Sequence, residues 1–156
     1  MVPDLAPMLA ATGLPASNLE DWAVEPKIDG WRCRATVDNG TLIIRTRRGR
    51  VITEFVPELH GLADCGHQLL IDGELCARAG RLADFAGLSG RLAGRPRAGS
   101  ISVSLVVFDI LWLEGHQLTG ERYDRRRRIL CSLKLEPATV VPSFPAEDAP
   151  AVLRFC

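Results

Sequence analysis

The apolar residues of 31–37 and 41–46 flank Asp38-Asn39-Gly40, and this pattern predicts a β-hairpin, because Asn and Gly accept the positive φ that a tight turn requires. A short strand over 23–27 precedes the hairpin, and 51–55 reads as a further strand of the same sheet. Pro57 opens a short helix over 57–63, with Leu59 and Leu62 spaced by three, and Gly66 ends it. Two strand segments, 68–72 and 75–77, flank Gly73-Glu74, so a kink is expected at the glycine with Glu74 on it. Leu82, Phe85, Leu88 and Leu92 recur at helical spacing and predict an amphipathic helix over 82–93. A Gly/Pro/Arg loop over 94–100 leads into 101–111, whose β-branched run reads as a buried central strand, and Glu114-Gly115 then turns the chain. A helix over 121–133, with Tyr123, Ile129, Leu130 and Leu133 as its apolar positions, is followed by a short strand over 139–141 and a helix over 146–155 broken at Pro150. Residues 1–21, proline-bearing and with little periodicity, read as an extended lead-in that packs only through Met8, Leu9 and Leu14. No internal repeat is visible, and the order of elements is α+β rather than a strict βαβ alternation.

Composition narrows the function classes more than it selects one. The chain has 156 residues, 47% hydrophobic and 24% charged, which suits one soluble domain with a real core. Nineteen basic and nineteen acidic residues cancel, so net charge offers no argument for a polyanionic partner. Its distribution says more: Arg45, Arg47, Arg48 and Arg50 cluster, and Arg125 to Arg128 form a run that reads as a solvated helix face. The longest apolar stretch, 101–113, is interrupted by Ser102, Ser104 and Asp109 and is too short to cross a bilayer. The N-terminus lacks the basic start and apolar core of a signal peptide, so a cytoplasmic location is expected. A monomer with no membrane partner is also expected. The five cysteines form no CxxC pair and read as reduced, mostly buried small residues.

Candidate chemistry begins at Glu25-Pro26-Lys27-Ile28-Asp29-Gly30-Trp31-Arg32. The chain contains only Lys27 and Lys134 against seventeen arginines. Arginine stays protonated, whereas a lysine amine becomes a nucleophile once its pKa is lowered, so a lysine at the mouth of a turn asks for a chemical reason. Downstream stand Arg47 after the hairpin, Glu74 within Leu70-Ile71-Asp72-Gly73-Glu74-Leu75, and Phe108 within Val106-Val107-Phe108-Asp109-Ile110-Leu111. In this order and at these intervals, the KxDG segment and its companions resemble the covalent nucleotidyltransferases, most closely the adenylation domain of ATP-dependent DNA ligases, over roughly residues 6–135.

The resemblance implies an α+β, antiparallel-sheet-rich nucleotidyltransferase fold (ATP-grasp-like, DNA ligase adenylation type), with 1–21 as lead-in and 22–156 as a partial adenylation domain. It implies that Lys27 attacks the α-phosphate of ATP, with Mg²⁺ or another divalent cation, and forms a lysyl-AMP for sealing nicked duplex DNA in repair and recombination. Cations near Lys27 are then expected to lower its pKa. Arg32 and Arg47 would hold phosphates and Gly30 would let the backbone approach the nucleotide. Glu74 would take the ribose hydroxyls, Phe108 would stack on adenine, and Glu25 would read the adenine amino group. The metal ligands are not assigned. The family's EGxV and KxK segments and its oligonucleotide-binding domain have no counterpart in these 156 residues, so a fold incomplete at the C-terminus, impaired activity and exposed apolar surface near Cys156 are expected. The alternatives are a non-catalytic nucleotide- or DNA-binding remnant and an RNA ligase or capping-type guanylyltransferase.

Overall fold

Asn39 and Gly40 both take positive φ, 49° and 73°, and close a two-residue turn between β2 (Trp31–Asp38) and β3 (Thr41–Thr46), preceded in the chain by the short β1 (Ala23–Val24). The computed structural model describes residues 1–9, 13, 19–77, 82–95 and 101–152. Further strands are β4 (Leu69–Ala77), β5 (Val103–Leu113), β6 (His116–Gln117), β7 (Thr139–Val140) and β8 (Phe144–Pro145). The main sheet runs β3-β2-β4-β5-β6, all antiparallel, with β7 added parallel to β5. A separate two-stranded ribbon pairs β1 with β8. The helices are α1 (Leu82–Leu92), α2 (Tyr123–Ser132) and α3 (Ala149–Val152).

Side chains alternate along a strand, so the sheet has two faces of different character. Cys33, Ala35 and Val37 of β2, Leu69, Ile71 and Leu75 of β4, and Leu105, Val107 and Ile110 of β5 point into one core. Leu59 and Leu62 from a 3-10 helix over Pro57–Asp64, Leu88 and Leu92 of α1 and Leu130 of α2 cover them. The opposite face carries Arg32, Arg34, Asp72 and Glu74, the alternate positions of β2 and β4. At its far end Leu70, Leu111 and Trp112 form a second, smaller apolar cluster with Val2 and Leu5.

That second cluster corrects the expected lead-in. Residues 2–9 run back along β2: the Val2 N–H donates to Asp38 Oδ2, Arg34 pairs with Asp4 at 2.6 Å and donates to the Leu5 carbonyl, and Arg32 donates to the Met8 carbonyl. The apolar anchors are Val2 and Leu5, while Met8 and Leu9 stay exposed. The expected strand over 51–55 reduces to one bridge, Arg45 to Val51, and then becomes a 3-10 turn over Thr53–Phe55. Thr53 explains the early end, because its hydroxyl takes the Ile44 N–H that a continuing strand would have bonded. Gly73 does not kink β4, which is continuous, and α3 runs through Pro150. Leu14, the end of the 94–100 loop, Cys156 and residues 153–155 of the expected last helix lie outside the described residues, as do the side chains of Leu82 and Phe85.

Two β-bulges in β5 replace the plain alternation expected of a buried central strand. Asp72 pairs with Asp109 and Gly73 with Val107, so Phe108 is an extra residue without a partner; Leu111 is a second one, skipped between Leu70–Trp112 and Ile71–Ile110. A bulge re-aims side chains. Phe108 and Asp109 are accordingly half-buried beside the polar face rather than alternating into the core. Gly73 is required here, since a Cβ would stand 2.6 Å from the Val106 carbonyl oxygen. Among the described residues, no helix is long and apolar enough to cross a membrane.

Candidate functional site

The polar face opens into a groove of about 460 Å³, within the range of small-molecule sites. Glu25, Lys27, Arg32, Glu74 and Phe108 all line it, brought together from the β1–β2 loop, β2, β4 and the β5 bulge. Arg47 is not among the lining residues; it is exposed, and its backbone N–H donates to the Arg32 carbonyl at 3.1 Å, which fixes the end of the hairpin.

Arg32 is the most constrained member. Its Nε and Nη2 donate to the two oxygens of Asp72 at 3.2 and 2.7 Å, and its guanidinium lies 5.4 Å from the centre of the Phe108 ring. The hydrogen bonds to Asp72 keep Arg32 firmly charged, while burial draws the Asp72 carboxyl up and Arg32 opposes that rise. Glu74 faces Arg32 across the β2–β4 ladder. Burial raises its pKa too, against the Arg32 charge and the Gly30 N–H that it accepts. Gly30 serves this contact: a Cβ there would stand 2.1 Å from the Leu75 carbonyl oxygen and 3.0 Å from Cγ of Glu74. The glycine thus permits close approach of β4.

Lys27 differs. Its side chain is 85% exposed and pairs with Asp29, which is as open to water. The hydrogen bond from Lys27 to Asp29, and then the Asp29 charge, raise the lysine pKa. Neighbouring cations were expected to lower it; in this structure the nearest charges are carboxylates, and the ammonium is held protonated.

Helix α2 supplies a wall that sequence reasoning missed. Its arginine run divides: Arg125 and Arg128 are solvated, pairing with Glu121 and Asp124, but Arg126 is buried and holds both oxygens of Asp109 at 2.8 and 3.1 Å. Arg127 donates to the Val141 carbonyl and stands 3.4 Å from Glu25 Oε1. Tyr123 donates to the same Glu25 oxygen. Tyr123 and Arg126 line the groove one helical turn apart, and the only prior signal was that four consecutive arginines cannot all face solvent on a helix packed along one side.

Carboxylates, Arg32, Arg126 and an aromatic ring around one exposed lysine can hold a base and sugar beside an amine. The comparisons agree with this class. Residues 7–145 match the ATP dependent DNA ligase domain, and the chain belongs to that family. It is 37% identical over 154 residues to the multifunctional non-homologous end joining protein LigD of Mycolicibacterium smegmatis, covering 97% of this chain and 20% of that protein. The Mycobacterium bovis protein of the same name is 34% identical over 95% of this chain and 19% of its own. The ligase domain of Mycobacterium tuberculosis LigD superposes with a TM-score of 0.67 at 29% identity, over 86% of this chain and 44% of that one. A mycobacterial DNA ligase D complexed with ATP and MES gives a TM-score of 0.64 at 28% identity, over 85% and 44%. The chain therefore has the fold of that adenylation domain and spans about a fifth of the full-length relatives.

Proposed function

We propose that the groove binds ATP and charges Lys27 with AMP, as the first step of nick sealing in duplex DNA during repair and recombination. The observation that carries this reading is the meeting of Lys27, Glu25, Arg32, Glu74 and Phe108 in one groove although they come from separate parts of the chain. Phe108 offers a ring face and edge for the base, Glu74 a fixed carboxylate for ribose hydroxyls, and Arg32 a charge for phosphate. Lys27 first gives up its proton to solvent, against the hold of Asp29. Its Nζ lone pair then forms a bond to the α-phosphorus while the bond to the bridging oxygen breaks, and pyrophosphate leaves with that electron pair. The AMP then passes from Lys27 to a 5′-phosphate at the nick, and the 3′-hydroxyl displaces it.

A divalent cation supplies charge neutralisation on the phosphates when bound. Among the described residues no cluster of three or more acidic, histidine or cysteine side chains forms a cage for one. Asp29 beside the groove would suit Mg²⁺, which binds through one or two carboxylates together with substrate phosphates. Arg126 is taken up by Asp109 and Arg32 shares its charge with Asp72, so the departing pyrophosphate needs further cations beside Arg32. We place Arg47 beyond the groove rim as a phosphate contact, residues 22–156 as a partial adenylation domain, and the protein in the cytoplasm as a monomer.

Intact-mass spectrometry after incubation with ATP and Mg²⁺ tests the reading. Wild type and Lys134→Arg should gain one adenylate and Lys27→Arg none; an adenylate retained by Lys27→Arg would refute it. Labelling by GTP in place of ATP would mark a capping-type enzyme. ATP binding without any labelling would mark a non-catalytic nucleotide-binding chain.

A further inference from the structure

The two carboxylate oxygens of Glu25 stand in different surroundings. Oε1 accepts from the Tyr123 hydroxyl at 2.5 Å, and the Arg127 guanidinium stands 3.4 Å from the same atom. Tyr123 and Arg127 project from successive turns of α2, so one rigid element delivers both groups. Each is held from behind: Ser143 Oγ lies 2.8 Å from the Tyr123 hydroxyl, and Arg127 Nη2 donates to the Val141 carbonyl. Since the phenol proton goes to Glu25, Ser143 donates to the phenol oxygen. Arg127 Nη1 is buried without a hydrogen bond, so its charge is directed at Glu25 by proximity alone. Among the described residues Oε2 of Glu25 has no hydrogen-bond partner.

We propose that Tyr123 and Arg127 are positioning residues that clamp Oε1 of Glu25 and leave Oε2 as a lone acceptor beside the groove, which selects a purine with an amino group at C6 over one with a C6 oxygen. This rests on the reading of the groove as an ATP site with Glu25 facing the adenine amino group, and adds the two side chains that hold Glu25 in place. A C6 amino group donates to Oε2; a C6 oxygen meets a second acceptor and is repelled. The clamp works through two effects. It stops the carboxylate from rotating to share its charge between both oxygens and water. It also opposes the burial that raises the Glu25 pKa and so keeps the group an acceptor.

Equilibrium titration of the whole chain with ATP and with GTP reads the clamp directly, with thermal melts to confirm folding. Tyr123→Phe should weaken ATP about tenfold, the scale of one hydrogen bond to a charged group, and leave GTP unchanged. Arg127→Lys keeps the charge but not the reach, and should give a smaller loss confined to ATP. Glu25→Gln can turn its amide N–H towards a C6 oxygen, and should improve GTP while weakening ATP. Ser143→Ala, which removes only the support behind Tyr123, should leave the ATP to GTP ratio within about twofold. Equal losses for both nucleotides in Tyr123→Phe and Arg127→Lys, or no loss in either, overturn the proposal while the nucleotide site stands. Should Tyr123→Phe fail to fold, Arg127→Lys and Glu25→Gln decide the matter. If wild type binds neither nucleotide, the ATP reading falls and takes this inference with it.

Discussion

Arg32 and Lys27 border the same groove and lie close in sequence, yet the structure treats them in opposite ways. Arg32 sits on a central strand, forked onto a buried carboxylate and packed over an aromatic ring. Lys27 sits on a loop, bound only to an exposed aspartate two positions away. Groups that recognise a ligand work best when their orientation is set before it arrives, because nothing then has to reorganise during reaction. A nucleophile that must shed a proton, attack, and later hand over its adenylate needs room to move, and a solvent-screened pair holds it weakly enough to allow this.

The sharpest way to break the contrast is to remove the anchor on the rigid side. Asp72→Ala leaves Arg32 partly buried without its counter-charge and should cost about 3 kcal/mol in urea unfolding, the low end for a broken buried pair because Arg32 keeps 23% of its side chain in water. A loss below about 0.5 kcal/mol, the level of an ordinary surface change, would mean that the fork contributes little. Gly30→Ala probes the joint between the two sides, since the added methyl meets the Leu75 carbonyl and Glu74. We expect about 1–3 kcal/mol of destabilisation with weaker ATP binding, and unchanged stability would show that β4 yields freely.

On the mobile side, Asp29→Asn should leave the melting temperature unchanged and alter the pH dependence of adenylate attachment. Asp29 raises the Lys27 pKa, so its removal lets the amine deprotonate at lower pH and shifts the rising limb of the rate profile downwards. A profile that stays put, or moves up, would remove Asp29 from control of the lysine. The smallest effect concerns the third wall. Tyr123 is the sole tyrosine, so phenolate absorbance reports it alone. Burial, and then the Glu25 hydrogen bond, push it up to about 12, and Glu25→Gln should lower the midpoint while burial persists. An unmoved midpoint would show that the two side chains do not interact in solution.

Local features were the legible ones. Asn39-Gly40 sets the hairpin because the turn chemistry is written in two adjacent residues. Lys27, Glu74 and Phe108, which meet in the groove, could be singled out because each sits inside a short distinctive string. What escaped the sequence depends on docking. Whether Arg126 and Arg127 face water or a groove is decided by how α2 lies along β5, and an unbroken arginine run looks the same in either case. The bulge at Phe108 was hidden because 101–111 is apolar at consecutive positions, which also fits a strand buried on both faces. Residues 2–9 have no periodicity to read, since an extended arm borrows its order from the strand beneath it. The direction of the Lys27 shift was misjudged for a similar reason: a motif names the residues around an amine but not which of them is nearest.

The β1–β8 ribbon joins positions 23–24 to 144–145, near opposite ends of the described chain, and the Ala146 N–H closes it onto the Trp22 carbonyl. Tyr123 reaches Glu25 just beside that closure. The hairpin can form from neighbours, but contacts of such sequence separation form only after most of the chain has been gathered. The groove is therefore a late product of folding and an early casualty of partial opening, held shut by a clasp of four residues. A nucleotide lying against Glu25 would bind the clasped form alone. Its arrival should slow amide hydrogen exchange in the ribbon far more than in β2 or β4, so that the ligand acts as the last stitch in its own binding site.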